Sequence, residues 1–236
     1  MTAPKPGLQI DSLNAWYGES HVLFGVSFDV HEGETVTLVG RNGAGKTTTL
    51  RSIVGLVRRR TGRISLRGKD LITQPVHKVA YNGLGYVPEE RGIFASLTVE
   101  ENLSLPPHIS GDGMSMPEIY RMFPNLEQRR LSPGTKLSGG EQQMLAIARV
   151  LRTGARVLLL DEPTEGLAPV IVQRIGSLLR DLKDLGYTIL LVEQNFRFAA
   201  RLADRFYVME NGRIIDMMTS ADLKSRPDSL RSYLGV

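Results

Sequence analysis

Short apolar runs separated by turns dominate the first third of the chain and predict strands. Apolar residues at positions 8, 10 and 13 precede two mostly apolar runs, 22–30 and 35–39, and the polar segment 31–34 lies between those runs. A turn between two apolar runs favours a hairpin. Residues 62–69 have the pattern of a further strand and turn. This part of the chain is therefore expected to be rich in β-structure.

Helical and strand-like patterns alternate around this region and again near the end of the chain. Residues 46–57 and 169–185 carry apolar side chains at helical spacing, and Gly186 stands where a C-terminal cap belongs. The apolar runs 157–161 and 188–192 are typical of buried strands, and Asn211-Gly212 predicts a hairpin turn within 206–218. Strands that alternate with helices favour a largely parallel sheet.

The pattern in the middle of the chain predicts an inserted group of helices. Thr98 and Glu101 form a capping-box pattern that opens a helix, and prolines interrupt the segments that follow. We therefore expect an α/β core from 8–94 and 156–220 with a helical subdomain, 95–155, inserted in it. The whole domain is expected to span 6–236 and to end in a helical tail, 221–236.

Composition narrows the class of protein. The 236 residues are 42% hydrophobic and include no cysteine, which excludes disulfides and thiolate metal sites. No apolar run approaches a membrane span, and the N-terminus lacks a signal-peptide pattern, so any membrane role is expected to come through a partner. Net charge is +4, and its densest basic run is 58–60. That run either attracts anionic lipid or nucleic acid or forms a solvated loop; the loop is favoured, and no nucleic-acid partner is expected.

The glycine-rich loop after residues 35–39 has the pattern G-x-x-x-x-G-K-T. Its glycines allow backbone N–H groups to converge on phosphate oxygens, Lys46 supplies a positive charge, and the Thr47 hydroxyl can bind Mg²⁺. The helix that begins here adds its positive dipole end. The predicted phosphate-binding residues are Gly40, Arg41, Asn42, Gly43, Ala44, Gly45, Lys46, Thr47 and Thr48.

Two adjacent carboxylates follow the apolar run 157–160. Asp161 at the end of a buried strand requires a partner, and Mg²⁺ shared with Thr47 would supply one. Glu162 is then well placed to polarise an attacking water. A pair of solvated acids at a strand end is the alternative interpretation, and the phosphate loop upstream disfavours it.

A second glycine pair lies in Ser138-Gly-Gly-Glu141-Gln142. This segment resembles the signature motif of ATP-binding-cassette (ABC) ATPases, and the resemblance runs from Tyr17 to the C-terminal hairpin. It implies an α/β P-loop NTPase fold of the ABC ATPase type, with a RecA-like core sheet, an N-terminal antiparallel β subdomain and an inserted α-helical subdomain. It also implies that Ser138, Gly139, Gly140 and Glu141 contact ATP held by an opposite subunit. A plain capping box would explain Ser138 and Glu141 without the glycines between them.

The resemblance assigns further positions. Tyr17 stands where the family stacks an aromatic ring on adenine, with a buried core aromatic as the alternative. Glu89 replaces the usual glutamine that reaches Mg²⁺, and a carboxylate can still bind the cation. Gln194 replaces the usual catalytic histidine and cannot become cationic. Ala168 replaces an aspartate in the loop that meets the other subunit.

Together these departures look most like the second ATPase of branched-chain amino-acid uptake systems, with urea or short-amide importers as an alternative. The resemblance implies ATP hydrolysis with Mg²⁺, and catalysis by Lys46, Glu162 and Gln194. It further implies a second ATPase subunit, or a homodimer in isolation, beneath two transmembrane permeases served by a binding protein. The chain would lie on the cytoplasmic face of the membrane, with 91–105 meeting a permease through Phe94. A non-transport ATPase and a regulatory subunit that does not hydrolyse ATP are the remaining alternatives.

Overall fold

A computed structural model describes residues 6–225. Ten strands lie in this range: β1 (Pro6–Tyr17), β2 (Ser20–His31), β3 (Thr35–Val39), β4 (Arg59–Leu66), β5 (Lys69–Asp70), β6 (Leu84–Val87), β7 (Val157–Asp161), β8 (Thr188–Val192), β9 (Arg205–Glu210) and β10 (Arg213–Thr219). The helices are α1 (Lys46–Ile53), α2 (Val76–Ala80), α3 (Val99–Ser104), α4 (Met116–Met122), α5 (Pro124–Gln128), α6 (Gly139–Thr153), α7 (Pro169–Asp184), α8 (Phe196–Ala199) and α9 (Ser220–Ser225).

The strands form two sheets. An antiparallel sheet has the order β2-β1-β4-β5, and a six-stranded sheet has the order β10-β9-β3-β8-β7-β6. All neighbours in the larger sheet are parallel except the β9–β10 hairpin, which the Asn211-Gly212 turn closes as predicted. The α/β fold predicted from the sequence is therefore confirmed.

The predicted hairpin between 22–30 and 35–39 is wrong. The turn is present, since the Glu34 N–H donates to the His31 carbonyl, but β2 pairs with β1 and β3 lies in the other sheet between β8 and β9. Every residue of β3 is buried, whereas β2 alternates between buried and exposed positions. The chain therefore leaves a half-exposed sheet and enters a fully covered one at this turn.

The basic run 58–60 is the solvated loop that the sequence favoured only in part, since Arg58 and Arg59 are exposed but residues 59–60 belong to a strand. Arg59 begins β4, and its guanidinium lies 5.2 Å from the centre of the Trp16 ring. Arg60 is partly buried and donates to the carbonyl oxygens of Val57 and Gln74. The run thus contributes to the junction between α1 and the antiparallel sheet.

Helices α3 to α6 lie between β6 and β7, within the predicted insertion 95–155. They share a buried apolar cluster with α7 and one face of the larger sheet, while the other face packs against the antiparallel sheet. The division into subdomains remains a prediction. Of the predicted tail, α9 ends at Ser225, and 226–236 lie outside the described residues. Among the helices of the described chain, none has the length and apolar character that a bilayer span demands.

Candidate nucleotide-binding and catalytic site

The phosphate loop connects the buried strand β3 to α1. Gly45 at the N-cap of α1 has a φ of +106°, in a region that side chains rarely adopt. A Cβ at this position would lie 2.9 Å from side-chain atoms of both Leu23 and Met209. Glycine is therefore required here by the backbone conformation and by close packing, and α1 begins with its free N–H groups at the loop.

The loop borders a cleft of about 370 Å³ that gathers half of the predicted site residues. Buried Lys46 lines it, and its Nζ donates to the carbonyl oxygens of Gly40 and Arg41 and lies 3.5 Å from Glu162 Oε1. Gly40 and Ala44 are buried and Arg41 is exposed, and none of these three lines the cleft. The residues that do are Val22, Asn42, Gly43, Gly45, Lys46, Thr47, Thr48, Glu89, Glu162, Glu165 and Gln194.

Asp161 is fully buried at the end of β7 and is held by two hydroxyls. The Thr47 hydroxyl donates to Oδ1 at 2.9 Å, and the Tyr86 hydroxyl donates to Oδ2 at 3.0 Å. Burial raises the pKa of Asp161, and these hydrogen bonds offset only part of the rise. Burial and the neighbouring carboxylate also raise the pKa of Tyr86, so that its hydroxyl keeps its proton and donates. Sequence reasoning missed Tyr86.

The oxygens around Asp161 fit a small, hard cation. The Thr47 hydroxyl and the Asp161 carboxylate are adjacent, and exposed Glu89 lines the same cleft close enough to interact with Asp161. Mg²⁺ prefers oxygen ligands and is commonly bound by one or two carboxylates together with water and substrate phosphates. The three residues predicted from the sequence therefore form a donor set that suits Mg²⁺.

Glu162 follows Asp161 with a φ of +44°, an uncommon value for a residue with a side chain. Gln194 Nε2 donates to Glu162 Oε2 at 2.5 Å, which joins two of the three predicted catalytic residues. Glu165 also contacts Glu162, and the hydrogen bond between the two carboxyls raises the pKa of Glu165. Sequence reasoning did not single out Glu165, although an acid three residues past Glu162 was a usable signal.

Buried Glu193 holds the segment that carries Gln194. Its Oε1 accepts from the Thr164 hydroxyl at 2.6 Å and from the Thr164 N–H, while Oε2 accepts from the Asn195 N–H. Burial raises the pKa of Glu193, and these hydrogen bonds oppose the rise. Glu193 thereby links the loop after β7 to the loop after β8. The carboxylate at the end of an apolar strand was the signal that could have revealed it.

The signature segment forms the N-terminus of α6. Ser138 caps the helix and Glu141 bonds back to the Ser138 N–H and hydroxyl, so the capping box that was the alternative explanation of these two residues is present. A Cβ on Gly140 would lie 2.6 Å from Ile171 on α7, so close helix packing accounts for this glycine. The segment does not line the cleft that contains Lys46. Within one chain the two glycine-rich segments therefore belong to different surfaces.

Tyr17 lies at the end of β1 and is 46% exposed, which contradicts the alternative of a buried core aromatic. Its neighbour Trp16 is stacked on His21, with ring centres 4.3 Å apart. Tyr17 does not line the 370 Å³ cleft, but its hydroxyl interacts with Arg51 on the helix that follows the phosphate loop. The ring is thus open to a ligand beside α1.

Comparison with known proteins agrees with this geometry. The family described as "ABC transporter" matches residues 23–165. The chain is 42% identical to the high-affinity branched-chain amino acid transport ATP-binding protein BraG of Pseudomonas aeruginosa, over 97% of this chain and 99% of BraG. It is 36% identical to the lipopolysaccharide export system ATP-binding protein LptB of Haemophilus influenzae, over 97% of each.

A solved ATP-binding subunit of an ABC transporter has the same fold. It superposes with a TM-score of 0.81 and 31% identity, covering 97% of this chain and 99% of that one. Cassettes of this kind bind ATP or ADP, dimerise and work with transmembrane subunits. The chain therefore belongs to the ABC transporter family and is an ATP-hydrolysing subunit.

Proposed function

We propose that this chain powers the import of branched-chain amino acids. The observation that carries the proposal is the 42% identity to BraG across nearly the full length of both chains. The chain would pair with a second ATPase beneath two permeases on the cytoplasmic face of the membrane, and a binding protein would deliver the substrate. The 36% identity to LptB makes lipopolysaccharide export the competing assignment.

The residues of the cleft would divide the hydrolysis of ATP among them. Backbone N–H groups of the loop and the Lys46 ammonium would hold phosphate, and Thr47, Asp161 and Glu89 would hold Mg²⁺. The cation would neutralise charge on the phosphates when bound. Glu162 would orient and polarise the attacking water, with Gln194 fixing its carboxylate.

Binding of ATP would involve two chains. Lys46 would hold the ATP of this chain, Tyr17 would stack on its adenine, and Ser138 to Glu141 would contact ATP held by the partner. The signature segment does not line the cleft that contains Lys46, and this supports an arrangement in which the two segments serve different nucleotides. A nucleotide that binds the closed dimer more tightly than the open one would drive closure.

Uptake measurements test the substrate. The gene is deleted in its own organism, and entry of labelled leucine, isoleucine, valine and urea is followed with and without the restored gene. We expect a large loss of entry of all three amino acids, restored by the wild type and by Lys78→Ala but not by Lys46→Ala. Lys78 is an exposed lysine on α2 and serves as the matched control.

The same strains distinguish the alternatives. Unchanged amino-acid entry with reduced urea entry would replace the proposal by an amide importer. Unchanged entry of every solute, with lipopolysaccharide accumulating in the inner membrane, would assign the chain to export.

A further inference from the structure

The carboxylate of Asp161 is oriented by a residue outside the nucleotide-binding motifs. Each of its oxygens accepts one hydroxyl hydrogen bond, Oδ1 from Thr47 and Oδ2 from Tyr86. Thr47 belongs to the phosphate loop, whereas Tyr86 lies on β6. The orientation of a fully buried carboxylate thus depends on a strand that contributes no nucleotide-binding residue of its own.

The position of Tyr86 follows from the sheet. Strand β6 runs parallel to β7, with Tyr86 opposite Leu159 and Val87 opposite Leu160. Tyr86 packs against the apolar cluster between the two sheets, on the side of α1, while a Cβ on the preceding Gly85 would lie 2.1 Å from Val150 of α6. The alternation of the strand therefore directs the tyrosine ring towards the phosphate loop.

Arg51 connects Tyr86 to the segment that follows β6. Its guanidinium lies on α1, forms a 2.9 Å ion pair with Glu90, and interacts with the hydroxyls of Tyr86 and Tyr17. Glu90 immediately follows Glu89 of the cleft. One side chain on the helix that follows the phosphate loop therefore forms an ion pair with the segment after β6 and interacts with Tyr17 on β1 and Tyr86 on β6.

We propose that Tyr86 is a positioning residue that fixes the Asp161 carboxylate for Mg²⁺. Arg51 interacts with the Tyr86 hydroxyl while it is paired with Glu90, and it thereby helps to hold that hydroxyl in place. The inference rests on the proposed Mg²⁺ role of Asp161. Partners that orient a metal ligand typically contribute 10–100-fold to metal affinity. Loss of the Tyr86 hydroxyl leaves Oδ2 without its donor and frees the carboxylate to rotate.

The test is binding of a fluorescent ATP analogue to the full chain, titrated with Mg²⁺ and repeated in excess EDTA. For Tyr86→Phe we expect the Mg²⁺ concentration at half-maximal effect to rise about tenfold, with nucleotide affinity in EDTA unchanged. Tyr207→Phe is the matched control, since its hydroxyl also donates to a carboxylate, Asp29 Oδ1 at 3.2 Å, away from the cleft. We expect that control to lower the melting temperature without changing the Mg²⁺ response.

Two further variants make each outcome decisive. Arg51→Met removes the ion pair with Glu90 and should raise the Mg²⁺ concentration at half-maximal effect by a few-fold. An unchanged midpoint overturns the role of Arg51. A Tyr86→Phe protein that responds to Mg²⁺ like the wild type overturns the role of Tyr86 and leaves the proposed site intact. An Asp161→Asn protein with unaltered Mg²⁺ dependence overturns the proposed cation site itself, and this inference with it.

Discussion

Position 194 carries glutamine where ABC ATPases usually have histidine, and this glutamine is hydrogen-bonded to Glu162. Gln194 Nε2 donates to the carboxylate that would polarise water, so the amide supplies a hydrogen bond but no positive charge. Loss of one preorganised charge-stabilising donor costs roughly 10²–10³ in rate. We therefore infer that the site built on Lys46 of this chain hydrolyses ATP slowly unless the partner subunit compensates.

Replacing Gln194 by histidine should raise the ATPase rate of the assembled transporter, by about tenfold or more if the donor acts as in other oxyanion sites. The rate is measured as phosphate release at saturating ATP. Gln9→His, on an exposed position of β1, is the control and should have no effect. An unchanged or lower rate in Gln194→His would contradict the assignment.

Asp161 illustrates a cost that function imposes on stability. Burial places its folded-state pKa above the unfolded value of about 3.9, so ionisation at neutral pH disfavours the folded state. Asp161→Asn should raise the melting temperature at pH 8 without Mg²⁺, and the gain should vanish below pH about 4, where the carboxyl is protonated in both states. Thermal denaturation at both pH values checks this. A lower melting temperature at pH 8 would show that the two hydroxyl bonds outweigh the cost of burial.

At the scale of elements, the motifs could be predicted because each is contiguous in sequence and lies at the end of one strand or the start of one helix. The phosphate loop after β3, the acids after β7 and the cap of α6 needed no knowledge of pairing. Tyr86, Arg51 and Glu193 were missed because their partners are far along the chain. The wrong prediction of a hairpin between β2 and β3 had the same origin. The turn shows that the chain changes direction, but burial on both faces decides which sheet the next strand joins.

At the N-terminus of α6, the role of Gly140 in helix packing can be tested apart from any role in nucleotide binding. Gly140→Ala places a methyl group against Ile171, so it should lower stability, and Ile171→Ala in the same chain should recover part of that loss. Denaturant unfolding of the two single variants and the double variant checks this coupling. Additive losses in the double variant would show that Gly140 is not required for the contact between α6 and α7.

An ionic cluster joins β2, the turn before β3 and β9. Arg205 pairs with Asp29 at 2.9 Å and with Glu34 at 2.6 Å, and His31 lies between the two acids. Burial acts to raise the pKa of Asp29, but the hydrogen bond and charge of Arg205 outweigh it, so the net shift is downward. Since the folded-state pKa is the lower one, the stabilisation is present at neutral pH and is lost as pH falls below about 4 through the folded value.

Arg205→Met should therefore lower the free energy of unfolding at pH 7 and flatten its fall between pH about 5 and 3. Urea unfolding at several pH values measures this. Arg201→Met, an exposed arginine in the segment just before β9, is the control. An equally steep fall in the Arg205 variant would show that Asp29 does not depend on Arg205.

At the scale of the whole molecule, the segment after β6 exposes the aromatic side chain of Phe94 at the surface. The side chain is 44% exposed, the Arg149 guanidinium lies 4.6 Å from its ring centre, and buried Asn102 bonds to both its N–H and its carbonyl. An exposed aromatic on a fixed backbone suits a contact with another subunit. We infer that this surface meets a permease.

Phe94→Asp should abolish transport while leaving ATP binding by the isolated chain unchanged, because the residue does not line the cleft. Solute uptake and nucleotide affinity are measured on the same variant. Leu131→Asp, at another highly exposed apolar position, is the control and should transport normally. Wild-type transport by Phe94→Asp would exclude Phe94 as the anchor.

The most direct test of a branched-chain amino-acid importer is the ATPase rate of the transporter reconstituted in vesicles, with its permeases, second ATPase and binding protein. We expect leucine-loaded binding protein to raise the rate and Glu162→Gln in this chain to lower the stimulated rate. A rate that is indifferent to leucine and its binding protein, but rises with urea or with lipopolysaccharide, would contradict this expectation.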